Sequence, residues 1–160
     1  MNGGVMNPQP AVLVANVALA WFLAGLIWTI QVVHYPLFAR VGREGFAAYE
    51  QAHAHLITMV VGPAMLAELL AAVALVALRP RGVPAWAAWA LLALLAAIWA
   101  STAFIQVPCH NVLSRGFDAD AHARLVSTNW IRTIAWSARA LLLAWCGWKA
   151  LEAAAAGANP

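Results

Sequence analysis

The chain has 160 residues, of which 64% are apolar and only 9% are charged, whereas about 25% of the residues of a typical soluble domain are charged. This composition excludes a disordered chain and is not that of an ordinary soluble enzyme. It is typical of a membrane protein. At about 20 residues per membrane-spanning helix, the length allows four spans in a single transmembrane domain that covers residues 1–160.

The net charge of +3 comes from nine basic and six acidic residues. The basic residues are scattered and flank apolar segments, which is the ordinary pattern of a membrane protein and not that of a nucleic-acid-binding surface. We therefore expect the lipid bilayer as a partner and no nucleic acid. The two cysteines, Cys109 and Cys146, have neither the spacing of a thiolate zinc site nor that of a disulfide framework.

Four apolar segments predict four helices, at about residues 11–33, 52–78, 85–107 and 120–151. The first segment is too long for the apolar region of a secretory signal, and no basic side chain precedes it, so we expect a retained helix. The sequence RPRGVP at 79–84 predicts a tight turn. The predicted fold is an all-α membrane protein, an antiparallel four-transmembrane-helix bundle.

The predicted topology has two unlike faces. Both termini, including Asn2 and Asn159, lie at one face with the turn at 79–84, and the longer connections at 34–51 and 108–118 lie at the other. The basic residues are divided almost evenly between the faces, so the positive-inside rule leaves the orientation open. We expect a protein of the bacterial inner membrane.

The chain also contains a weak internal repeat. The segment QVVHYP at 31–36 resembles QVPCHN at 106–111, and Gly45-Phe46 resembles Gly116-Phe117. Two copies of a two-helix unit would be related by an axis along the membrane normal, which would bring the ends of the first and third helices to the same face. The alternative is that small apolar helices resemble one another by chance.

Two charged residues are expected near the middle of the membrane. Glu68 precedes Arg79 by 11 residues and Arg139 precedes Lys149 by 10, so at 1.5 Å per residue both lie roughly 15–17 Å from the same face. An unpaired charge at that depth costs at least about 2.5–3.5 kcal/mol, which predicts an ion pair between Glu68 and Arg139. The pair either fixes the helix register or binds substrate or a proton, and a neutral, protonated Glu68 is a further alternative.

One face of the fourth predicted helix carries polar and aromatic side chains. Asn129, Arg132, Trp136 and Arg139 follow the spacing i, i+3, i+7 and i+10, which places them on one face. Because lipid cannot satisfy a guanidinium group, that face is predicted to point into the bundle. Arg132 then anchors an anionic or carbonyl group of a ligand, or it snorkels to the interface and meets carbonyls freed where Pro108 is expected to end the third helix.

All the histidines lie on or beside the two connections of one face: His34, His53, His55, His110 and His122. Imidazoles serve in metal binding and proton transfer, so His34, His53 and His110 are candidate metal ligands if the bundle brings them together, and His34 and His110 are candidates for a haem. His53 and His55 point about 200° apart on a helix and cannot share one metal ion. Interfacial hydrogen bonding is the alternative role.

Two short motifs resemble the signature of a known family. They are Val107-Pro108-x-x-Asn111-x-Leu113 and Asn129-x-x-Arg132-Thr133. With them the chain resembles the anthrone-oxygenase-like family of small four-helix integral membrane proteins, most of them uncharacterised bacterial proteins. The resemblance is specific only over residues 107–133, and the histidines and the Glu68–Arg139 pair are not part of the family's pattern. Family members with an assigned role resemble cofactor-independent oxygenases that convert an anthrone to an anthraquinone, and the resemblance implies a membrane oxidoreductase.

These observations favour an oxidoreductase, an oxygenase that acts on a small lipophilic aromatic ligand at one membrane face. In this interpretation His110 or His34 is the catalytic base, and Arg132 holds a phenolate or enolate oxygen. The predicted substrate-binding residues are Asn111, Asn129, Trp136, Glu68 and Arg139. Two alternatives stay open: a protein that binds a metal or haem through His34, His53 and His110, and a membrane subunit without enzymatic activity. The cofactor and a homo-oligomeric state are likewise open.

Overall fold

The computed structural model describes residues 7–158, and this part of the chain is helical without any β-strand. Four long helices follow one another: α1 (Pro8–Arg40), α2 (Phe46–Ala77), α3 (Ala85–Leu113) and α4 (Ala119–Ala158). The predicted all-α class with four helices is confirmed. Residues 1–6 and 159–160 of the predicted domain lie outside the described residues, and so do Asn2 and Asn159.

The helices pack as an antiparallel bundle. At one end, the N-terminal part of α1, the turn at 80–81 and the C-terminal part of α4 line a common groove. At the other end, His34 of α1 contacts His53 of α2, and Tyr35 of α1 contacts His110 of α3. The beginning of α1 and the end of α4 therefore lie at one end of the bundle, and the histidines gather at the other.

Helices α1 and α3 each contain a widened turn just before a proline. Residues Ile30–His34 precede Pro36, residues Thr102–Gln106 precede Pro108, and both turns are π-helical. A proline has no backbone N–H, and its ring clashes with the carbonyl group four residues earlier. A π turn accommodates this defect without ending the helix.

The two helices therefore extend further than the sequence predicts. α1 continues past residue 33 to Arg40, and α3 continues past residue 107 to Leu113. Pro108 does not end α3, which corrects the expectation that it frees carbonyl groups there. The connections at this end are consequently short, at residues 41–45 and 114–118.

The π turns also mark the internal repeat. The register that aligns Ile30–His34 with Thr102–Gln106 aligns Pro36 with Pro108 as well. The repeat identified in the sequence pairs Gln31 with Gln106 instead. Its alignment of the two halves of the chain therefore differs from the alignment that the structure gives. In the structural register the widened turns of α1 and α3 correspond, which supports a repeated two-helix unit.

Gly82 allows the turn between α2 and α3 to pack against α4. Its φ angle of 85° lies in the left-handed region, which only glycine adopts without strain. A Cβ atom at this position would lie 2.4 Å from the backbone oxygen of Lys149. The turn thereby holds the start of α3 against the C-terminal part of α4.

Three of the four helices, α1, α2 and α3, are long and apolar enough to cross a membrane. Their outward faces carry large exposed apolar side chains such as Leu56. Helix α4 also exposes apolar side chains, including Ile134 and Leu141, but it buries Arg132 and Arg139 and is not one of the three. Length and composition are thus those of a membrane protein, and the fourth span remains a prediction.

Candidate functional site

A buried ion pair joins the helices in the middle of the bundle. Arg139 Nε donates to Glu68 Oε1 at 2.7 Å, and Trp136 Nε1 donates to Glu68 Oε2 at 3.0 Å. The other two guanidinium nitrogens donate to the backbone oxygen of Leu91 at 2.7 Å and to Asn16 Oδ1 at 3.1 Å. The predicted pairing of Glu68 and Arg139 is confirmed. Both side chains are fully buried, and each of their side-chain nitrogen and oxygen atoms has a hydrogen-bond partner, so their contacts are those of a pair that fixes the helix register.

A layer of amides lies between this pair and the histidine-containing end. Asn129 Nδ2 donates to Gln31 Oε1 at 2.8 Å, Thr133 Oγ1 donates to the same oxygen at 3.3 Å, and Gln31 Nε2 donates to the backbone oxygen of Val126 at 3.1 Å. Asn129, a predicted substrate-binding residue, therefore ties α4 to α1. Its Oδ1 atom is buried without a hydrogen-bond partner among the described residues.

Arg132 lies on the same buried face of α4. Its guanidinium group stacks on Trp136, 5.4 Å from the ring centroid, and lies close to the Tyr35 hydroxyl group. Arg132 is 5% exposed, and its Nε atom has no hydrogen-bond partner among residues 7–158. Asn111, by contrast, is exposed on the last turns of α3. The four predicted face residues of α4 thus all point inward, whereas Asn111 lies on the surface.

Three histidines from three helices meet at the other end of the bundle. His34 Nε2 of α1 is hydrogen-bonded to His53 Nδ1 of α2 at 2.9 Å, and the ring centroids of His53 and His110 of α3 lie 5.6 Å apart. His53 lies against both other rings, with its ring centroid 4.5 Å from that of His34 and 5.6 Å from that of His110. His55 is exposed on α2 and takes no part in this cluster.

Two residues that were not candidates from the sequence complete the cluster. Glu50 is fully buried, and its Oε1 atom is paired with His110 Nδ1. On the other side of the imidazole ring, the Tyr35 hydroxyl group is hydrogen-bonded to His110 Nε2 at 3.0 Å. A carboxylate, an imidazole and a phenol are thus linked in one hydrogen-bonded chain, which we call the Glu50–His110–Tyr35 relay.

The sequence does contain one signal for Glu50. Glu50-Gln-Ala-His53 has the spacing i, i+3, which puts both side chains on one face of a helix, as in the Glu-x-x-His motifs of metal-binding helix bundles. The prediction placed Glu50 in a connection and treated it only as a charge. Tyr35 had no comparable signal, because its role depends on where α3 places His110.

An aromatic shell surrounds the cluster. Phe38 is fully buried and lies with its ring centroid 5.1 Å from that of His53 and 5.3 Å from that of His34. Phe46, at the start of α2, packs edge-on against Phe38 and is also fully buried. His122 Nε2 of α4 is hydrogen-bonded to the backbone oxygen of Tyr35 at 2.8 Å. The shell buries Glu50 completely and leaves the His110 side chain 17% exposed, so charge interactions at the carboxylate are stronger than in water.

Two buried polar atoms of the cluster lack a hydrogen-bond partner among the described residues. They are Glu50 Oε2 and His53 Nε2. Together with His110 they form a group whose ligating atoms all lie within 4.8 Å of one another. Buried polar atoms are nearly always bonded in native proteins, so these two atoms mark a place where a ligand, an ion or water belongs.

A groove of about 1080 Å³ lies at the opposite end of the bundle, between the first turns of α1 and the last turns of α4. Small residues of α4, such as Gly147 and Ala154, line one wall, and Pro80 and Arg81 lie at its edge. None of the histidines borders it. The groove and the histidine cluster are therefore separate features of the molecule.

Compared with protein-family models, with curated proteins and with solved structures, the chain matches none of them. The geometry of the cluster therefore carries the proposal made for the function of the protein.

Proposed function

We propose that this chain is an integral protein of the bacterial inner membrane in which all four helices span the bilayer. Helix α4 turns its charged side chains, Arg132 and Arg139, into the bundle and exposes apolar ones such as Ile134 and Leu141. Buried arginines lower the mean hydropathy of α4 without placing a charge in lipid. Cysteine labelling tests this arrangement: Ala119→Cys and Ala156→Cys should react from opposite sides of the membrane, and labelling from the same side would reject the fourth span.

We propose that the protein is an oxidoreductase, and the single observation that carries this proposal is the Glu50–His110–Tyr35 relay. A buried carboxylate that holds an imidazole in one orientation stabilises the imidazolium form. His110 can then accept a proton through the Tyr35 hydroxyl group, while Glu50 balances the charge. Such a relay is suited to general acid–base catalysis. A lipophilic substrate follows from the apolar surroundings of the site.

The proposed reaction is the oxygenation of a lipophilic phenol-like substrate, in keeping with the family resemblance of residues 107–133. The relay removes a proton from an activated CH₂ group, and the resulting carbanion reacts with dioxygen. The CH₂ group becomes a carbonyl group, and the second oxygen atom leaves as water. Arg132, which lies beside Tyr35, supplies a cation that stabilises the enolate or phenolate oxygen.

Two features support an enzyme over a membrane subunit whose polar residues only hold the bundle together. The Glu68–Arg139 pair already performs the structural role, with a hydrogen-bond partner for each of its side-chain nitrogen and oxygen atoms. The relay adds no such complete network, because Glu50 Oε2 and the neighbouring His53 Nε2 have no partner in the described part of the chain. Incomplete polar clusters destabilise a fold, so their retention favours a function.

Oxygen uptake by the purified protein in detergent tests the proposal. With anthrone as the probe substrate, the wild-type protein should consume dioxygen, and Tyr35→Phe and His110→Gln should lose activity while they stay folded. Loss of a positioned acid or base costs about 10²–10⁴-fold in rate. His55→Gln is the matched control, because His55 is an exposed histidine of the same bundle end. A His110→Gln protein with wild-type turnover would reject the relay as the catalytic device.

A further inference from the structure

The atoms left without partners in the histidine cluster have the chemistry of metal ligands. Glu50 offers a carboxylate oxygen, and His53 and His110 each offer an imidazole nitrogen. These three groups come from α2 and α3, and their ligating atoms lie within 4.8 Å of one another. We propose that Glu50, His53 and His110 bind one divalent transition-metal ion. The ion would take the place of the Glu50–His110 contact, so the metal-bound form is an alternative to the relay of the same residues, and its formation does not depend on the function proposed above.

The second nitrogen of each histidine ligand is already held by an outer partner. His53 Nδ1 is bonded to His34 Nε2 at 2.9 Å, which leaves His53 Nε2 free, and that atom is buried and unpartnered. His110 Nε2 is bonded to the Tyr35 hydroxyl group at 3.0 Å, which leaves Nδ1 to face Glu50. Metal-binding histidines almost always have such an outer partner, which fixes the tautomer and the orientation of the ring.

This arrangement changes the role of His34. The sequence suggested His34, His53 and His110 as the ligands, whereas the structure places Glu50 in the group and leaves His34 behind His53. His34 and Tyr35 are consecutive residues at the end of the π turn of α1. One local deformation of α1 therefore supplies the outer partners of both histidine ligands, in line with the frequent occurrence of π turns at functional sites.

The set of protein ligands limits which metal ions can bind at the site. Two imidazoles and one carboxylate are the protein ligands of catalytic zinc sites and of non-haem Fe²⁺ oxygenases, and in both cases a coordination position stays open. Two ligand atoms on one ion lie at most about 4.2 Å apart, which is twice a Zn–N bond of about 2.1 Å. The ligating atoms lie within 4.8 Å of one another, which is near this limit, and on binding the ion replaces the direct contact between Glu50 and His110.

The charges of the site indicate which ligand occupies the open coordination position of the ion. Glu50 neutralises only one of the two charges of the ion, and Arg132 adds a buried positive charge beside Tyr35. A buried excess of positive charge is costly unless an anion balances it. We therefore expect an oxygen anion of the phenolate or enolate class at the open position.

Cobalt binding tests the site without an activity assay. The full-length protein, freed of its affinity tag and stripped with a chelator, is titrated with Co²⁺ alone, and the visible ligand-field absorption is recorded. One equivalent should bind and should be displaced by Zn²⁺. Glu50→Gln and His53→Gln should lose stoichiometric binding, and His34→Gln should weaken it about 10- to 100-fold, as expected for an outer partner. His55→Gln should bind as the wild type does.

Thermal melting of the stripped proteins separates loss of metal from loss of fold. A Glu50→Gln or His53→Gln protein that melts like the stripped wild type but binds no Co²⁺ supports the site. Wild-type protein that binds no Co²⁺, or Glu50→Gln and His53→Gln proteins that bind one equivalent as tightly as wild type, would overturn it. The cobalt titration and the oxygen-uptake assay are independent readouts, so wild-type protein that consumes dioxygen but binds no Co²⁺ would separate a failed metal proposal from a failed oxidoreductase proposal.

Discussion

The molecule buries two carboxylates on the same helix, α2, and the two differ in how well they are bonded. Glu68 has partners for both oxygens, from Arg139 and Trp136. Glu50 has one partner, His110, and its second oxygen has none among residues 7–158. Burying a polar group without a hydrogen bond lowers stability. The comparison teaches that the contacts of Glu68 are those of a structural ion pair, whereas the unbonded oxygen of Glu50 supports the proposal that its cluster receives a ligand.

The largest effect is expected where the complete cluster is broken. Arg139→Leu leaves Glu68 as an uncompensated buried charge and should lower the free energy of unfolding by about 3–5 kcal/mol, measured by denaturation in detergent micelles. Arg124→Leu, an exposed position on the same helix, should change it by less than about 0.5 kcal/mol. Adding Glu68→Leu to Arg139→Leu should restore part of the loss. Equal free energies of unfolding for Arg139→Leu and Arg124→Leu would show that the ion pair does not stabilise the bundle.

A smaller loss is expected from Trp136→Phe. The change replaces the indole by a smaller phenyl ring and removes the Nε1 donor that lies 3.0 Å from Glu68 Oε2. A buried acceptor left unpaired costs about 1–3 kcal/mol, and the lost volume adds to this cost. Trp148→Phe is the matched control, because Trp148 Nε1 donates to the exposed Glu152 at 2.8 Å, where water can replace it. Thermal melting of both variants should rank Trp136→Phe clearly below Trp148→Phe, and the reverse order would contradict the proposed role of Glu68.

Tyr35→Phe should lower stability less than Trp136→Phe does, but it should lower catalytic activity more. Its hydroxyl group makes one hydrogen bond to His110 at 3.0 Å, so the expected loss of unfolding free energy is about 0.5–1.5 kcal/mol, while oxygen uptake should fall far below that of the wild type. Tyr49→Phe, in the aromatic shell beside Phe38, serves as the control for loss of a hydroxyl group. Wild-type activity in Tyr35→Phe would remove Tyr35 from the relay.

The smallest effect on stability is expected from Glu50→Gln in metal-free protein. The amide oxygen still accepts from His110, and a poorly compensated buried charge is removed, so the free energy of unfolding should change by less than about 1 kcal/mol. Glu68→Gln, the corresponding change in the complete cluster, should cost more because it leaves Arg139 without its counter-charge. Equal losses at the two positions would mean that both carboxylates serve the fold.

The sequence predicted the Glu68–Arg139 pair because a single variable, depth in the membrane, limits where an isolated charge can find a partner. It also placed the histidines at one end, since each lies near the end of an apolar segment. It did not predict the ends of α1 and α3, because the effect of Pro36 and Pro108 depends on whether a π turn forms. The sequence alone does not show whether a π turn forms before a given proline.

The sequence by itself determined the all-helical class, the four long helices and the inward face of α4, because apolar length and helical periodicity are properties of one segment at a time. Only the tertiary structure decided that Glu50, His53, His110, His34 and Tyr35 form one cluster. These side chains come from three helices, and their meeting depends on how those helices are rotated and shifted against one another. Helix rotation and shift are set by packing and by the Glu68–Arg139 network as a whole, so no single segment encodes them.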